Sequence, residues 1–344
     1  MEAPRVVVFD AGDEDAAAVH LAGLVDELGV SAPLVVASVH GERLARSIKG
    51  ARYEIPSPDA SVDWASALGA DAHRAGCDLV VAVGGGRCLD LAKLATARAG
   101  LTMVSAPTQL SHDGLCSPVA VALDNHGIKR SLGAIAPRSV YLSLPTLAAS
   151  PVDSLRAGLG DLFANPFALR DWALAEERGL AEIDPVAWDM SERSYAAIEP
   201  FLEADPAGSA GDHRFLRSLA DALILSGVAM IHSGSSRPAS GGEHEISHAL
   251  DELFGGPAMH GAQVAFGCIF SAALYGDDPS VLRDRVAKLG LPAEPAALGL
   301  SLDDAVTVLL AAPDTRPGRF TIIEEAALDE SAARALVESI WENK

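Results

Sequence analysis

The chain has 344 residues, 49% of them hydrophobic, which is enough for two ordinary domains or one large α/β unit with a substantial core. Its 47 acidic and 26 basic side chains give a net charge of −21, which argues against a nucleic-acid partner because such a partner requires a basic face. The four cysteines lack CxxC spacing, no signal peptide is evident and no apolar run approaches the length of a bilayer, so we expect a cytoplasmic protein with free thiols and no membrane span.

The first half of the chain alternates short β-branched runs with helical patterns. We predict strands at 5–9, 34–39, 78–83, 101–104 and 139–142, and helices at 14–28, 41–49, 60–75 and 87–98. Alternation of this kind implies parallel strands connected by crossover helices. A hairpin is predicted from 119–123 and 128–135, which flank an Asp-Asn-His-Gly turn.

Three consecutive glycines, Gly84, Gly85 and Gly86, follow the predicted strand 78–83. Glycine lets the backbone approach a ligand closely, and the next helix directs its amide donors and its positive dipole end at the same place. This combination suits a pyrophosphate, although the residues match neither G-x-G-x-x-G nor the P-loop. The loop 105–117 adds hydroxyl and carboxyl groups that suit phosphate, ribose or carboxamide; ordinary turn chemistry explains only part of this row.

The second half is helical almost throughout. We predict helices at 153–164, 166–182, 186–203, 212–232, 241–254, 259–275, 279–289, 302–311 and 328–341. The region 145–151 is the predicted boundary, which divides the chain into an α/β domain at 1–150 and a helical domain at 151–344.

Three histidines, His244, His248 and His260, lie close together in the sequence. The first two are four residues apart and so share a helix face, and a Gly-Gly-Pro break returns the chain before His260. Any one of them fits a capping or core role, but two helices that meet at a short turn can direct imidazoles at one divalent metal. Asp161 lies among small and apolar residues, and a shared metal would give this carboxylate the partner that burial requires.

Five motifs occur in order: GGGxxxDxAK at 84–93, PTxxSxDGxxS at 107–117, GxGDxxxN at 158–165, SSRPASGxEHxxSHxLD at 235–251 and HGxQVxxG at 260–267. Together they resemble the sn-glycerol-1-phosphate dehydrogenase family. Its superfamily also contains glycerol dehydrogenases, iron-containing alcohol dehydrogenases and dehydroquinate synthases. The resemblance implies a dehydroquinate synthase-like fold, with an α/β Rossmann-like nucleotide-binding domain, an all-α metal-binding domain and a homo-oligomeric assembly.

The resemblance also implies roles for individual residues. The residues implied to bind NAD or NADP are Gly84, Gly85, Gly86, Asp90, Lys93, Thr108, Ser111 and Ser117. The implied metal ligands are Asp161, His244 and His260. Asp113 would reach nicotinamide or substrate, and His248 would relay protons. Lys129, Arg130 and Arg237 are the candidates for a substrate phosphate.

Two details bear on the metal and the cofactor. Iron-dependent members carry a fourth ligand, a histidine, where this chain has Asn165, so three ligands favour Zn²⁺ over Fe²⁺. The predicted strand 34–39 has no Asp at its tip to accept a ribose 2′-hydroxyl, which leaves both NAD and NADP open.

The leading function is a metal-dependent NAD(P)(H) oxidoreductase with a small-molecule substrate. It would interconvert dihydroxyacetone phosphate and sn-glycerol 1-phosphate, or a closely related polyol and ketone. The alternatives are a sugar-phosphate cyclase of the dehydroquinate synthase type that uses NAD transiently, and a nucleotide-binding protein without catalysis. The cyclase is disfavoured because such enzymes have Glu where this chain has Asp161 and gather more cations around the substrate.

Overall fold

The computed structural model describes residues 3–203 and 206–342. Its strands are β1 (Arg5–Phe9), β2 (Pro33–Ala37), β3 (Arg52–Glu54), β4 (Leu79–Gly84), β5 (Met103–Pro107), β6 (Val119–Leu123), β7 (Lys129–Gly133) and β8 (Ser139–Ser143). Six of them form one parallel sheet in the order β1-β8-β5-β4-β2-β3, while β6 and β7 pair as an antiparallel hairpin. The predicted parallel sheet and hairpin are therefore confirmed.

Helices cover both faces of the sheet. In this part of the chain they are α1 (Glu14–Glu27), α2 (Glu42–Ala45), α3 (Val62–Arg74), α4 (Gly86–Ala99) and α5 (Leu144–Ala148). Alternate residues of β2 enter different apolar clusters: Leu34 and Val36 pack on one face, Val35 and Ala37 on the other. This double burial is why the central strands read as continuous apolar runs.

Three predictions for this part are wrong. The helix predicted at 41–49 is only the single turn α2, strand β3 was missed, and the five-residue helix α5 lies where only a boundary region was predicted. The sequence of β3, Arg-Tyr-Glu, is short and largely polar, because this strand lies at the edge of the sheet with two of its three residues exposed.

The rest of the described chain is helical. Its helices are α6 (Val152–Leu162), α7 (Ala164–Glu177), α8 (Pro185–Ile198), α9 (Pro206–Ser209), α10 (His213–Ser233), α11 (Gly242–Phe254), α12 (His260–Leu274), α13 (Pro279–Lys288), α14 (Leu302–Ala311), α15 (Ile322–Ala326) and α16 (Glu330–Trp341). The predicted α/β part followed by a helical part is confirmed. The boundary at 150 stays a prediction, because one cluster of buried apolar residues extends from Leu34 to Trp341 across both parts.

Helix α10 has the length and composition of a membrane-spanning helix, and within residues 3–203 and 206–342 it is the one candidate. The expectation that no stretch approaches that length does not hold for it. However, 67% of its apolar window is buried inside the fold, and the helix packs against α8. Its burial is that of a core helix.

The cysteines give a first testable prediction. All four are free; Cys77 is half-buried, and burial raises the pKa of Cys88 and of Cys116 to about 12 and that of Cys268 well above its usual value. Because the thiolate is the reactive form, we expect iodoacetamide at about pH 8 to modify Cys77 alone in the native protein. Mass spectrometry should then find four modified thiols after unfolding. Rapid native labelling of a second cysteine would contradict the buried placement.

Candidate active site

Asp161, His244 and His260 come together at one point in the helical part. Their side chains each offer one ligand atom, and these atoms lie within 4.8 Å of one another. Asp161 Oδ1 is 3.6 Å from His260 Nε2 and 4.0 Å from His244 Nε2. The structure thus places together a carboxylate and two imidazoles that lie on three different helices, α6, α11 and α12. We call this group the Asp-His-His cluster.

Close backbone packing explains why Asp161 and His260 meet. Each is next to a glycine, and these glycines lie where α6 crosses α12. A Cβ on Gly160 would overlap the carbonyl oxygen of Gly261, and a Cβ on Gly261 would overlap that of Ala157. Glycine at both positions lets the two backbones touch, which brings the adjacent functional side chains within reach of each other.

Hydrogen bonds on the outer atoms orient the cluster. His244 Nδ1 bonds to Glu243 Oε1 at 3.0 Å, and a hydrogen bond of 3.3 Å joins His260 Nδ1 and Ser247 Oγ. The backbone N–H of Asp113 donates to Asp161 Oδ2 at 2.9 Å. The atoms that face inward are therefore the two Nε2 atoms and Asp161 Oδ1, an arrangement that resembles the supported ligands of metal sites.

The protonation of the cluster suits a cation. Desolvation by burial lowers the pKa of His244 to about 3 and that of His260 well below its usual value, so both imidazoles are neutral at pH 7 and keep a free lone pair. Burial, followed by the charge of Asp113, raises the pKa of Asp161 well above its usual value. Burying this carboxylate without a positive partner is unfavourable, and a divalent cation would supply one. The residues present fit a metal.

Asn165 is not part of the cluster. Its Nδ2 donates to Ser194 Oγ and, at 3.5 Å, to Ser226 Oγ, and both hydroxyls belong to the neighbouring helices α8 and α10. Ser226 in turn donates to Asp113 Oδ2 at 3.0 Å. Asn165 therefore supports Asp113 through one intervening hydroxyl and offers the cluster no ligand.

A cavity of about 580 Å³ opens beside the cluster and extends to helix α4. Of the predicted site residues, the following line it: Asp90, Asp113, Ser117, Lys129, His244, His248 and His260. The glycines 84–86 lie at the carboxyl end of β4, where Gly84 is paired with Pro107 of β5. That pairing places the glycine turn beside the hydroxyl-rich loop, at the edge of the sheet where ligands of α/β proteins bind.

Lys93, Thr108 and Ser111 lie behind the wall of this cavity. The ammonium of Lys93 is completely buried, donates to the carbonyl oxygens of Ser117 and Val119, and pairs with Asp90 at 3.2 Å. It holds the base of the β6–β7 hairpin against α4. Thr108 and Ser111 are each 7% exposed.

A second cavity of about 440 Å³ adjoins the first, and His248 lines both. All three residues predicted for a substrate phosphate line it, although Lys129 pairs with Asp251 at 2.8 Å and Arg130 pairs with Glu252. Arg237 is half-buried, and its guanidinium donates to the carbonyl oxygen of Phe320 at 3.3 Å.

The sequence analysis missed Arg316 and Arg319, which complete the second cavity. Arg316 also lines the first cavity, and its guanidinium donates to Ser240 Oγ at 2.6 Å and Ser236 Oγ at 2.9 Å. Burial, with the neighbouring Arg316 charge, lowers the pKa of Arg319 to about 9. Arginine side chains that lie close together and are partly removed from water are stabilised by an anionic ligand. The signal in the sequence that could have indicated these residues is two arginines on either side of a Pro-Gly pair in an otherwise acidic chain.

Asp171 of α7 anchors the helix that carries His244. Its Oδ1 accepts from Tyr275 Oη at 2.6 Å and from the Ile322 N–H at 2.8 Å, while Oδ2 accepts from the Gly242 N–H at 2.7 Å. Burial, and then the nearby Glu243, raises the pKa of Asp171 to about 7.

We expect Asp171→Asn to lower the free energy of unfolding by about 2 kcal/mol, because an amide in place of Oδ2 leaves the buried Gly242 N–H unsatisfied. Urea denaturation measures the loss. The matched control is Asp277→Asn, since this exposed carboxylate only pairs with Arg170 at the surface and should change stability little. Equal stability of the two variants would argue against the anchoring role.

Comparison with known proteins agrees with the fold. Residues 13–151 match the family model described as iron-containing alcohol dehydrogenase. Among solved structures, a probable glycerol dehydrogenase from Sinorhizobium meliloti 1021 superposes with a TM-score of 0.79 at 22% identity and covers 98% of this chain and 96% of its own. Glycerol dehydrogenase from Schizosaccharomyces pombe gives 0.77 at 17% identity, with 98% and 89% covered. These structures define the fold as that of the polyol and iron-containing alcohol dehydrogenases.

Curated relatives are more similar in sequence. Glycerol-1-phosphate dehydrogenase [NAD(P)+] of Hyperthermus butylicus is 35% identical over 341 residues, covering 98% of this chain and 97% of that protein. The enzyme of the same name from Aeropyrum pernix is 33% identical over 343 residues, covering 98% and 96%. The chain therefore belongs to the glycerol-1-phosphate dehydrogenase family and is an oxidoreductase of the alcohol dehydrogenase type, as the five motifs predict.

Proposed function

We propose that this protein is a metal-dependent NAD(P)(H) oxidoreductase that interconverts dihydroxyacetone phosphate and sn-glycerol 1-phosphate. The observation that carries the proposal is the Asp-His-His cluster beside a cavity that extends to α4, the helix that begins at the glycine turn. A metal and a dinucleotide bound at these two places would meet over one substrate. The names of the relatives from Hyperthermus butylicus and Aeropyrum pernix support the same reaction.

Asp161, His244 and His260 would hold the metal. Three protein ligands with open positions are typical of catalytic zinc, and the hydrogen bonds of Asn165 give it no part as a fourth ligand, so we propose Zn²⁺ rather than Fe²⁺. A divalent cation held there supplies Lewis acidity, which polarises a carbonyl and lowers the pKa of a hydroxyl.

The glycine turn, Gly84, Gly85 and Gly86, would bind the pyrophosphate of NAD or NADP, whose nicotinamide supplies or accepts the hydride. Ser117 and Asp113, which line the cavity, would contact the nicotinamide side, with Thr108 and Ser111 behind them. Asp90 and Lys93 would act by holding the hairpin in place. Arg43, the nearest arginine in sequence to the tip of β2, pairs with Glu14 and Asp15, so the proposal covers both cofactors.

The second cavity would bind the substrate phosphate. Arg316 lines both cavities, and Lys129 and Arg237 line the second one with it. A substrate that places its carbonyl at the cluster would place its phosphate among these cations. Arg130 lies at the outer edge of this cavity and pairs with Glu252.

His248 also lines both cavities, and burial lowers its pKa to about 3. A neutral imidazole donates from one nitrogen and accepts at the other, so His248 would pass a proton between the substrate oxygen and solvent.

The test is an assay with a panel of ketones. The purified protein, dialysed against a chelator and then supplied with Zn²⁺, is given dihydroxyacetone phosphate or dihydroxyacetone with NADH or NADPH, and the absorbance of reduced nicotinamide is followed. We expect consumption of reduced cofactor that depends on Zn²⁺ and on the phosphorylated ketone. No consumption with any combination overturns the proposal. Reaction of a sugar phosphate without net change in cofactor would indicate the cyclase chemistry.

We also propose that the protein is a cytoplasmic homo-oligomer. The four free cysteines suit a reducing compartment. Val6 on the edge strand β1, and Tyr53 and Ile55 at the other edge, are exposed apolar side chains that a second copy could cover. Size-exclusion chromatography with light scattering tests the assembly, and a monomer would refute it.

A further inference from the structure

His112 is enclosed by two glycines at the wall of the first cavity. A Cβ on Gly86 would overlap Nε2 of its ring, and a Cβ on Gly114 would overlap Cε1 and Nδ1 of the same ring. Neither glycine has a positive φ, so neither is required for a left-handed turn. Both positions need glycine because the imidazole occupies the space of a side chain. The fold has therefore reserved this place for His112.

One hydrogen bond fixes where the ring carries its proton. The backbone N–H of Gly114 donates to His112 Nδ1 at 2.9 Å. An imidazole nitrogen that accepts a hydrogen bond has no proton of its own, so the proton of the neutral ring is on Nε2. Within residues 3–203 and 206–342, Nε2 has no hydrogen-bond partner. It faces Gly86, the first residue of α4.

The position of His112 connects the two halves of the site. Its ring lies edge-on to His260 of the Asp-His-His cluster, with 5.9 Å between the ring centroids. Its other side is against the N-terminus of the 14-residue helix α4, where unpaired backbone N–H groups point outward. A dinucleotide that extends from the glycine turn to the cluster must pass this ring.

We propose that His112 binds the cofactor, its Nε2–H donating a hydrogen bond to a pyrophosphate oxygen beside the amides of the glycine turn. The inference rests on the proposed function in taking NAD(P) as the ligand. The Nε2–H group adds a side-chain donor to the backbone amides at the N-terminus of α4. The pyrophosphate does not react, so this contact stays the same through all steps of the reaction. Loss of the His112 side chain should therefore weaken cofactor binding and leave metal binding and ketone binding unchanged.

The first experiment measures nucleotide binding without turnover. Isothermal titration of the Zn²⁺-loaded protein with NADH, NADPH, ADP and AMP is compared for the wild type and His112→Ala. Because a hydrogen bond to a charged group is lost, we expect the Kd of NADH and of ADP to rise about ten-fold and that of AMP, which has no pyrophosphate, to stay within two-fold. Zinc content should equal that of the wild type.

The outcomes separate this inference from the proposed function. An unchanged ADP affinity overturns the role of His112, and an equal loss for AMP overturns it too because that loss is a structural effect. A wild type that binds neither NADH nor NADPH refutes the proposed function itself.

The second experiment tests the geometry through stability. Gly86→Ala should lower the Tm, because the new methyl group overlaps the His112 ring. Adding His112→Ala should restore most of the lost Tm while nucleotide binding stays weak. A Gly86→Ala variant as stable as the wild type, or a double variant that is no more stable than Gly86→Ala alone, would show that the ring does not lie against Gly86.

Discussion

Replacing His260 with alanine is expected to remove the bound metal and to lower turnover by at least about a thousand-fold, the scale at which a lost Lewis acid affects a barrier. We expect this large effect because the metal has only a few protein ligands. Only Asp161, His244 and His260 converge among the described residues, so the loss of one leaves two donors. Metal content is measured by mass spectrometry of the dialysed protein, and turnover by the oxidation of reduced cofactor with dihydroxyacetone phosphate.

The control for this variant is His232→Ala. His232 is an exposed histidine of α10 that lies 3.4 Å from Asp184 and has no contact with the cluster. It should keep both metal and turnover. Asp161→Asn is a second variant that preserves shape and should also lose the metal. Full metal content with full turnover in His260→Ala would mean that the cluster is not the metal site.

Replacing Arg316 with methionine is expected to change the substrate preference. The kcat/KM for dihydroxyacetone phosphate should fall about 10- to 100-fold, since hydrogen bonds to a charged group contribute about 1.5–3 kcal/mol. The kcat/KM for unphosphorylated dihydroxyacetone should change much less. Methionine is of similar length to arginine but has no guanidinium. A loss of folded protein would lower kcat/KM for both ketones by the same factor, so the ratio of the two kcat/KM values reports the phosphate contact alone.

Two further measurements make this result decisive. Arg214→Met is the matched control, because the side chain of Arg214 is 89% exposed and lines neither cavity. Arg316→Lys keeps a charge but loses the paired donors to Ser236 and Ser240, so it should recover only part of the activity with the phosphorylated ketone. If Arg316→Met lowers kcat/KM equally for both ketones, the phosphate is bound elsewhere.

The elements of the fold were largely predictable from local patterns. Buried strands such as β4 appear as continuous apolar runs, and long helices such as α10 show a strong helical period. The predicted ranges of such elements differ from the observed ones mainly at the ends. The failures are short elements of three to five residues: β3, α5, α9 and α15 were missed, and α2 is shorter than predicted. Segments this short contain too few positions for a period to appear, and their structure depends on what they pack against.

The active site divides in the same way. The Asp-His-His cluster could be predicted because its residues lie in dense motifs. Arg316 and Arg319 could not, because they lie in an irregular segment distant in sequence from the histidines, and no pattern connects the two. Lys93 was predicted to bind the cofactor from its place in a motif, yet tertiary packing encloses its ammonium among carbonyl oxygens of the hairpin.

By itself the sequence determined the family, the α/β part followed by helices, and the residue types able to bind a metal beside a glycine turn, because these depend on period and on spacing along the chain. Only the tertiary structure decided that Gly160 and Gly261 bring two helices into contact, that Gly114 makes room for His112, and that cations from three separate segments share one cavity. Contacts of this kind join residues distant in the chain, and they arise from packing in three dimensions, which local sequence does not encode.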